Sequence, residues 1–327
     1  MKKTAVVIPV LLLLAAVFYG LQTNLLPMQS GPRVIALVQL TEVDASTVAG
    51  FKAGLEAAGY HEGKDVVYLN KGPAGKIDRL DRIIRDHLRH NPDLIMVSST
   101  PGTMAVKRLT EGKTIPVVFA PVNDPISAGI VADLRRPAGH ITGIRLPTGD
   151  DLRLKWLLDI APQTRRVFVP YTPGDKSAQK TLENISAVAP GLGIELLTQP
   201  VVGEKGVEAM LESMPANVDA IFLPRDSSIE SHIKAFVAYA NNHRLPLNAP
   251  SYSQVEKGAL LSYGFVHSEI GRQAARQVDQ IFKGANPGDL PVEMAESILS
   301  INLVSAERIG MSIPDDILLQ AEKIIRE

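Results

Sequence analysis

Ser99 and Thr100 stand directly after the apolar run Leu94-Ile95-Met96-Val97 and just before a predicted helix, which makes them the first candidates for chemistry. Hydroxyls, together with the free backbone N–H groups of a helix start, suit a carboxylate or another small anion. One of the two is also the natural N-cap, so capping and binding are both open. Asn123 follows the run Ile115–Ala120 in the same way, with Asp124 beside it as the expected cap of a helix near Ile126. Asp226 follows Ala220-Ile221-Phe222-Leu223 and either pairs with a ligand amine or caps the next helix. Tyr171, Tyr252 and Tyr263 each sit at the end of a predicted strand, and three rings so placed would make a wall for a flat ligand. If the ligand is an amino acid, its carboxylate belongs at Ser99-Thr100, its amine near Asp226 and its side chain against the tyrosines.

Covalent and metal chemistry find no comparable set. Gly112-Lys113-Thr114 looks like the tail of a phosphate-cradling loop, but Lys107 stands where that loop needs glycine, and a helix precedes it instead of following. Gly191-Leu192-Gly193 opens a dinucleotide fingerprint whose third glycine would be Leu196. A nucleophile elbow around Ser262 fails because Leu260 replaces its first glycine. The histidines are scattered, with no helix-Glu metal arrangement, and His87 and His90 read as a polar helix face. No catalytic residue, metal or cofactor is therefore expected.

The elements that must position these residues alternate in type. Short runs such as Val34–Val38, Val66–Leu69 and Leu94–Val97 have the character of parallel strands buried on both faces. Between them, Val48, Phe51, Leu55 and Ala58 recur at helical spacing before Gly59, and Ile77, Leu80, Ile83, Ile84 and Leu88 do the same. The pattern pauses from Ile141 to Asp151, where Pro147 and Gly149 mark a crossing. A second series then starts with the helix Leu152–Ile160, which carries Trp156, and continues through strands at Val167–Val169, Ile194–Leu197 and Ala220–Leu223. This predicts an α/β chain of two doubly wound parallel-sheet lobes. A length of 327 residues agrees with two cores, and 45% hydrophobic against 21% charged residues places the chain among packed proteins. Lysine plus arginine number 34 and aspartate plus glutamate 35, a net charge of -1, which argues against a nucleic-acid partner.

Met1-Lys2-Lys3 followed by the apolar stretch Thr4–Leu21 has the layout of an export signal. The residues after Ala15-Ala16 match a cleavage site poorly, and the stretch is about long enough to span a bilayer, so removal and retention as an anchor are both open. Residues 1–32 are thus expected to lie outside the fold and to make the only membrane contact, with the folded part periplasmic or otherwise extracytoplasmic. No cysteine is present, which excludes disulfides, thiolate metal sites and a lipid on Cys.

Several stretches resemble the ABC-transporter substrate-binding protein family of the tryptophan/tyrosine type. They are Gly50-Phe51-Lys52-Ala53-Gly54-Leu55 to Gly59-Tyr60, Ile115–Ala120 to Asn123-Asp124-Pro125, Leu261-Ser262-Tyr263-Gly264, Asp289–Glu293, and Ile301-Asn302-Leu303 through Gly310 to Ile313-Pro314. The resemblance runs from about Arg33 to the C-terminus. It implies a type I periplasmic-binding-protein fold, with three hinge crossings and a small-molecule ligand in the cleft. It places residues 33–145 and 264–288 in the N-terminal lobe and 146–263 and 289–327 in the C-terminal lobe. The function it implies is delivery of a small solute, such as an amino acid, to an ABC transporter permease. The alternative is a membrane-anchored module that presents its ligand to a receptor or kinase. The loop Gln39–Asp44 is shorter than the family's usual loop and lacks its His-Pro step, so no ligand is carried over.

Overall fold

A computed structural model describes residues 31–147 and 149–327. The export signal expected before residue 31 lies outside the described residues. In the first lobe β1 (Arg33–Val38), β2 (Val66–Asn70), β3 (Leu94–Val97), β4 (Val117–Val122) and β5 (Ile141–Arg145) alternate with α1 (Ala45–Ala57), α2 (Ile77–Arg89) and α3 (Thr100–Leu109). After Arg145 the chain crosses to the second lobe. There α4 (Asp150–Ile160), β6 (Arg166–Tyr171), α5 (Lys176–Val188), β7 (Glu195–Pro200), α6 (Gly203–Glu212) and β8 (Ala220–Phe222) follow in turn. The series continues with α7 (Ser227–Glu230), α8 (Ile233–His243), β9 (Leu247–Asn248), α9 (Tyr252–Glu256) and β10 (Leu261–Gly264). It then returns to the first lobe as α10 (His267–Phe282) and β11 (Glu293–Met294). Finally β12 (Ile298–Asn302), α11 (Leu303–Arg308), α12 (Asp315–Leu318) and β13 (Lys323–Ile325) complete the second lobe.

The first sheet has the order β11-β5-β4-β3-β1-β2, with every pair parallel. The second has the order β13-β12-β10-β9-β8-β6-β7 and is parallel except between β10 and β12. Period-2 alternation fills both faces: Ile35 and Leu37 join one apolar cluster and Ala36 and Val38 the other, all at most 1% exposed. The second sheet does the same, with Val167 and Val169 on one side and Phe168 on the other. This two-sided burial is why the strands read as continuous apolar runs. Among the described residues no helix is long and apolar enough to cross a membrane.

The pause expected at Ile141–Asp151 is half strand: Ile141–Arg145 pairs with β4. Its apolar run is broken by Gly143, whose φ of +156° and missing side chain let Phe119 O approach; a Cβ there would lie 2.2 Å from it. A second difference concerns the lobe boundary. Glu293–Met294 pairs with Ile144–Arg145, so residues 289–295 follow the first sheet and the last crossing falls after them, not at 288/289. Between β8 and β9 the chain forms two helices, α7 and α8, separated at Ser231-His232.

The first lobe's largest helix contact is α10 on α1, and it depends on glycines. A Cβ on Gly50 would sit 2.0 Å from Ser268 O, and one on Gly271 would sit 2.1 Å from Thr47 O. The Gly50–Gly54 stretch of the sequence is therefore a packing surface. It fixes His267, at the start of α10, against Thr47 (His267 Nδ1 to Thr47 Oγ1, 3.0 Å).

Candidate functional site

The carboxyl ends of the two sheets face each other across a crevice of ≈ 30 Å³. From the first lobe it is lined by Val43, Asp44, Ser99, Thr100, Pro101, Pro121 and Asn123; from the second by Asp175, Ser177, Arg225, Ser227 and Glu230; and from the crossings by Leu146, Phe265 and His267. That volume holds about two water molecules. A larger groove of ≈ 860 Å³ adjoins it outside, sharing Pro101 and Asp175, with Met104, Ala128, Ile130 and Val131 among its walls. The groove is mostly apolar, whereas the polar side chains converge in the crevice.

Ser99 caps α3: its Oγ accepts from Gly102 N at 3.2 Å, with the residue at φ +70°. Thr100 Oγ1 accepts from Asn123 N at 3.2 Å, which leaves the Thr100 proton free to donate. Asn123 spans the lobes. Its Nδ2 donates to Ser177 O at 3.1 Å and its Oδ1 accepts from Arg225 Nη1 at 3.2 Å. Arg225 also donates to Pro147 O and lies 3.2 Å from Asp150. Asp150 in turn accepts from Arg153 at 3.1 Å and from Asn184 at 3.1 Å. Burial opposes ionisation of Asp150, but Arg225 and Arg153 together outweigh it and hold the carboxyl below its usual range. One carboxylate thus holds two guanidiniums at the crevice floor.

The acids around that floor have the opposite tendency. Burial raises Asp44 to about 6, against the N–H groups of Leu40 and Thr41 that favour its anion. Burial and then the charge of Asp226 raise Glu230 to about 8. The same two causes raise Asp175 to about 7. His267, fully enclosed, is pushed down to about 4, first by burial and then by Lys257.

Of the residues expected at the site, Ser99, Thr100 and Asn123 come together in the crevice. Asp226 does not line it. Its carboxylate is 0% exposed and accepts from Ser228 N, Ile229 N, Thr172 N and Thr172 Oγ1 at 2.7–3.2 Å. It is the cap of α7 and a clasp on the β6 end, and burial raises it too. Tyr171, Tyr252 and Tyr263 are half-buried and lie outside the crevice lining. Tyr263 packs 6.3 Å from Trp156 on the α4 side of its sheet. The apolar side of the crevice is instead Phe265 with Val43, Leu146, Pro101 and Pro121, the two prolines standing two residues from Ser99 and Asn123 respectively. Arg225, Ser227 and Glu230, which do line the crevice, stand within four residues of Asp226 on the same loop and helix start. Asp44 lies in a short helical turn where nothing in the pattern marks it. Among the described residues no cluster of three or more His, Asp or Glu could hold a metal ion.

Comparisons with known proteins agree with this architecture. A crystal structure of a conserved domain protein from Vibrio cholerae is 29% identical and superposes with a TM-score of 0.84, covering 90% of this chain and all of that one. A structure from Streptococcus pneumonia, described as an ABC domain in complex with L-Trp, is 24% identical with a TM-score of 0.83 over 90% of this chain and all of its own. The "Tyrosine-binding protein" of Clostridioides difficile is 25% identical over 260 residues, 79% of this chain and 75% of that protein. The family profile described as ABC transporter substrate binding protein matches residues 34–325. Two lobes meeting at a polar crevice, joined by three crossings among the described residues, are what a protein needs to close on a solute, and this chain belongs to the ABC transporter substrate-binding protein family.

Proposed function

We propose that the solute is an amino acid, bound in the crevice without turnover and passed to an ABC transporter permease. The observation that supports this most is the pairing of opposite charges in one buried place. The start of α3 and Arg225 offer donors to a carboxylate, while Asp44 and Glu230 offer acceptors to an amine. Phe265 and the prolines provide an apolar wall for a side chain, and the tyrosine-binding relative supports an aromatic one. Affinity then comes from closure: the solute binds the closed pair of lobes better than the open pair and shifts the population towards it.

A thermal-shift screen over the twenty amino acids, with sugars and nucleosides alongside, tests the reading. A true solute at a hundred times its dissociation constant adds about 2.7 kcal/mol. A shift with a sugar or nucleoside and none with any amino acid would sink it. Export by residues 1–32, which serve as the sole membrane contact, is part of the same proposal and rests on their basic-then-apolar order. A reporter fused to them should appear outside the cytoplasm, and a cytoplasmic reporter would refute export.

A further inference from the structure

We propose that the solute's ammonium group is clasped between Asp44 of the first lobe and Glu230 of the second, and that this pair makes the crevice selective for amines. The inference rests on the amino-acid reading above and assigns the side chains that enforce it.

Both carboxylates line the same small crevice from opposite lobes. Each is anchored through one oxygen. Asp44 Oδ2 accepts from Leu40 N at 2.9 Å and Thr41 N at 3.1 Å, and Glu230 Oε2 accepts from Gln254 Nε2 at 2.7 Å. Among the described residues Asp44 Oδ1 and Glu230 Oε1 accept no hydrogen bond. Two acceptors fixed in place with one lone oxygen each are a preorganised seat for a group with three N–H donors.

A second observation points to a missing polar partner at the same place. His267 is 4% exposed and lines the crevice; Nδ1 is held by Thr47, yet Nε2 has no hydrogen-bond partner. Buried polar atoms in native proteins are nearly always met, so an orphan on a residue that lines the crevice calls for a polar atom to arrive there.

Charge balance gives the sign of that arrival. The crevice lining carries three acids (Asp44, Asp175, Glu230) and one cation, Arg225, whose charge is already paired with Asp150 and whose Nη1 donates to Asn123 and Pro147 O. Arg153, behind Glu230, donates through Nη1 to Asp150 and through Nη2 to Leu223 O and Asn248. Burial therefore opposes the anions of Asp44 and Glu230, and an incoming cation relieves this. Because the two acids belong to different lobes, an amine between them ties the lobes together.

Calorimetry with L-tyrosine and its desamino counterpart, 3-(4-hydroxyphenyl)propionate, tests the clamp. The wild type should bind tyrosine at least a hundredfold tighter. Glu230→Gln and Asp44→Asn should each lose tenfold or more for tyrosine while leaving the weak affinity for the desamino acid within about twofold. Equal wild-type affinity for the two compounds, a comparison that needs no variant, would overturn the clamp. So would tyrosine affinity unchanged in both folded variants. If none of the twenty amino acids binds the wild type, the amino-acid reading falls and the clamp with it, a result distinct from binding that ignores Asp44 and Glu230.

Discussion

Glu230 is a carboxyl kept in the protonated range by its surroundings, which has a thermodynamic signature apart from any solute. It faces Asp226 and Asp44, which disfavour its anion, and Arg153 and Gln254, which favour it. In the unfolded chain such a group titrates near 4.5, but in the fold near 8. Between these values the folded state holds a proton that the unfolded state has lost, so its contribution is full below 4.5 and disappears as pH rises through 8. His267 acts in the opposite sense, with a contribution present above 6.5 and lost as pH falls towards 4. At pH 6.5 His267 is neutral in the fold and half protonated in the unfolded chain, and by pH 8 it is neutral in both, so it adds only about 0.4 kcal/mol across that window and the buried acids dominate. Stability should fall across that window by about 1–2 kcal/mol on account of Glu230, and Glu230→Gln should remove that part of the slope. Urea unfolding at pH 6.5, 7.2 and 8.0 checks this; a slope identical in the variant would show that Glu230 is ionised in the fold. At this scale the sequence was a partial guide. Position after a strand located Ser99, Thr100 and Asn123, because a parallel sheet collects its carboxyl ends on one edge. It could not say which way a side chain points. One step of the pleat sends Tyr263 to Trp156, and a free helix start claims Asp226 as its cap before any ligand can.

The elements were more legible than the site, since burial on both faces leaves an unbroken apolar run that needs no partner to be recognised. What escaped was at the edges. Strand β11 has two residues and β13 three, too short for any period, and β5 is interrupted by Gly143. The Gly50 and Gly271 positions show the reverse, a motif whose cause appears only in the packing. Two helices that approach closely enough to put backbone within 2.1 Å of an added Cβ have no room for a methyl group. Gly271→Ala should therefore cost about 1–3 kcal/mol through overpacking, despite the better helix propensity of alanine. Gly206→Ala in α6, whose nearest neighbour would be a Val201 methyl at 3.4 Å, should instead be neutral or stabilising by up to about 1 kcal/mol. Equal thermal midpoints for the two variants would contradict the close crossing.

For the whole molecule, the contact between lobes is polar and narrow. Asn123 contributes two of its hydrogen bonds, to Ser177 O and from Arg225, and an amino acid can enter the ≈ 30 Å³ crevice only if these part. At about 1 kcal/mol each, losing both in Asn123→Ala should move the solute-free equilibrium about thirtyfold towards separated lobes. Small-angle scattering would read this as a larger radius of gyration than the wild type, and an unchanged radius would place the latch elsewhere. The return of α10 and β11 to the first lobe has a consequence in time as well as in space. Ile270, Ala274, Val278 and Ile281 complete the apolar layer that Ile35, Phe51 and Leu55 begin. A growing chain therefore releases its first lobe's opening strands long before it releases the helix that seals them. Until residue 295 has emerged, half of the protein has no finished interior, which is the open state that the proposed export through a membrane would require.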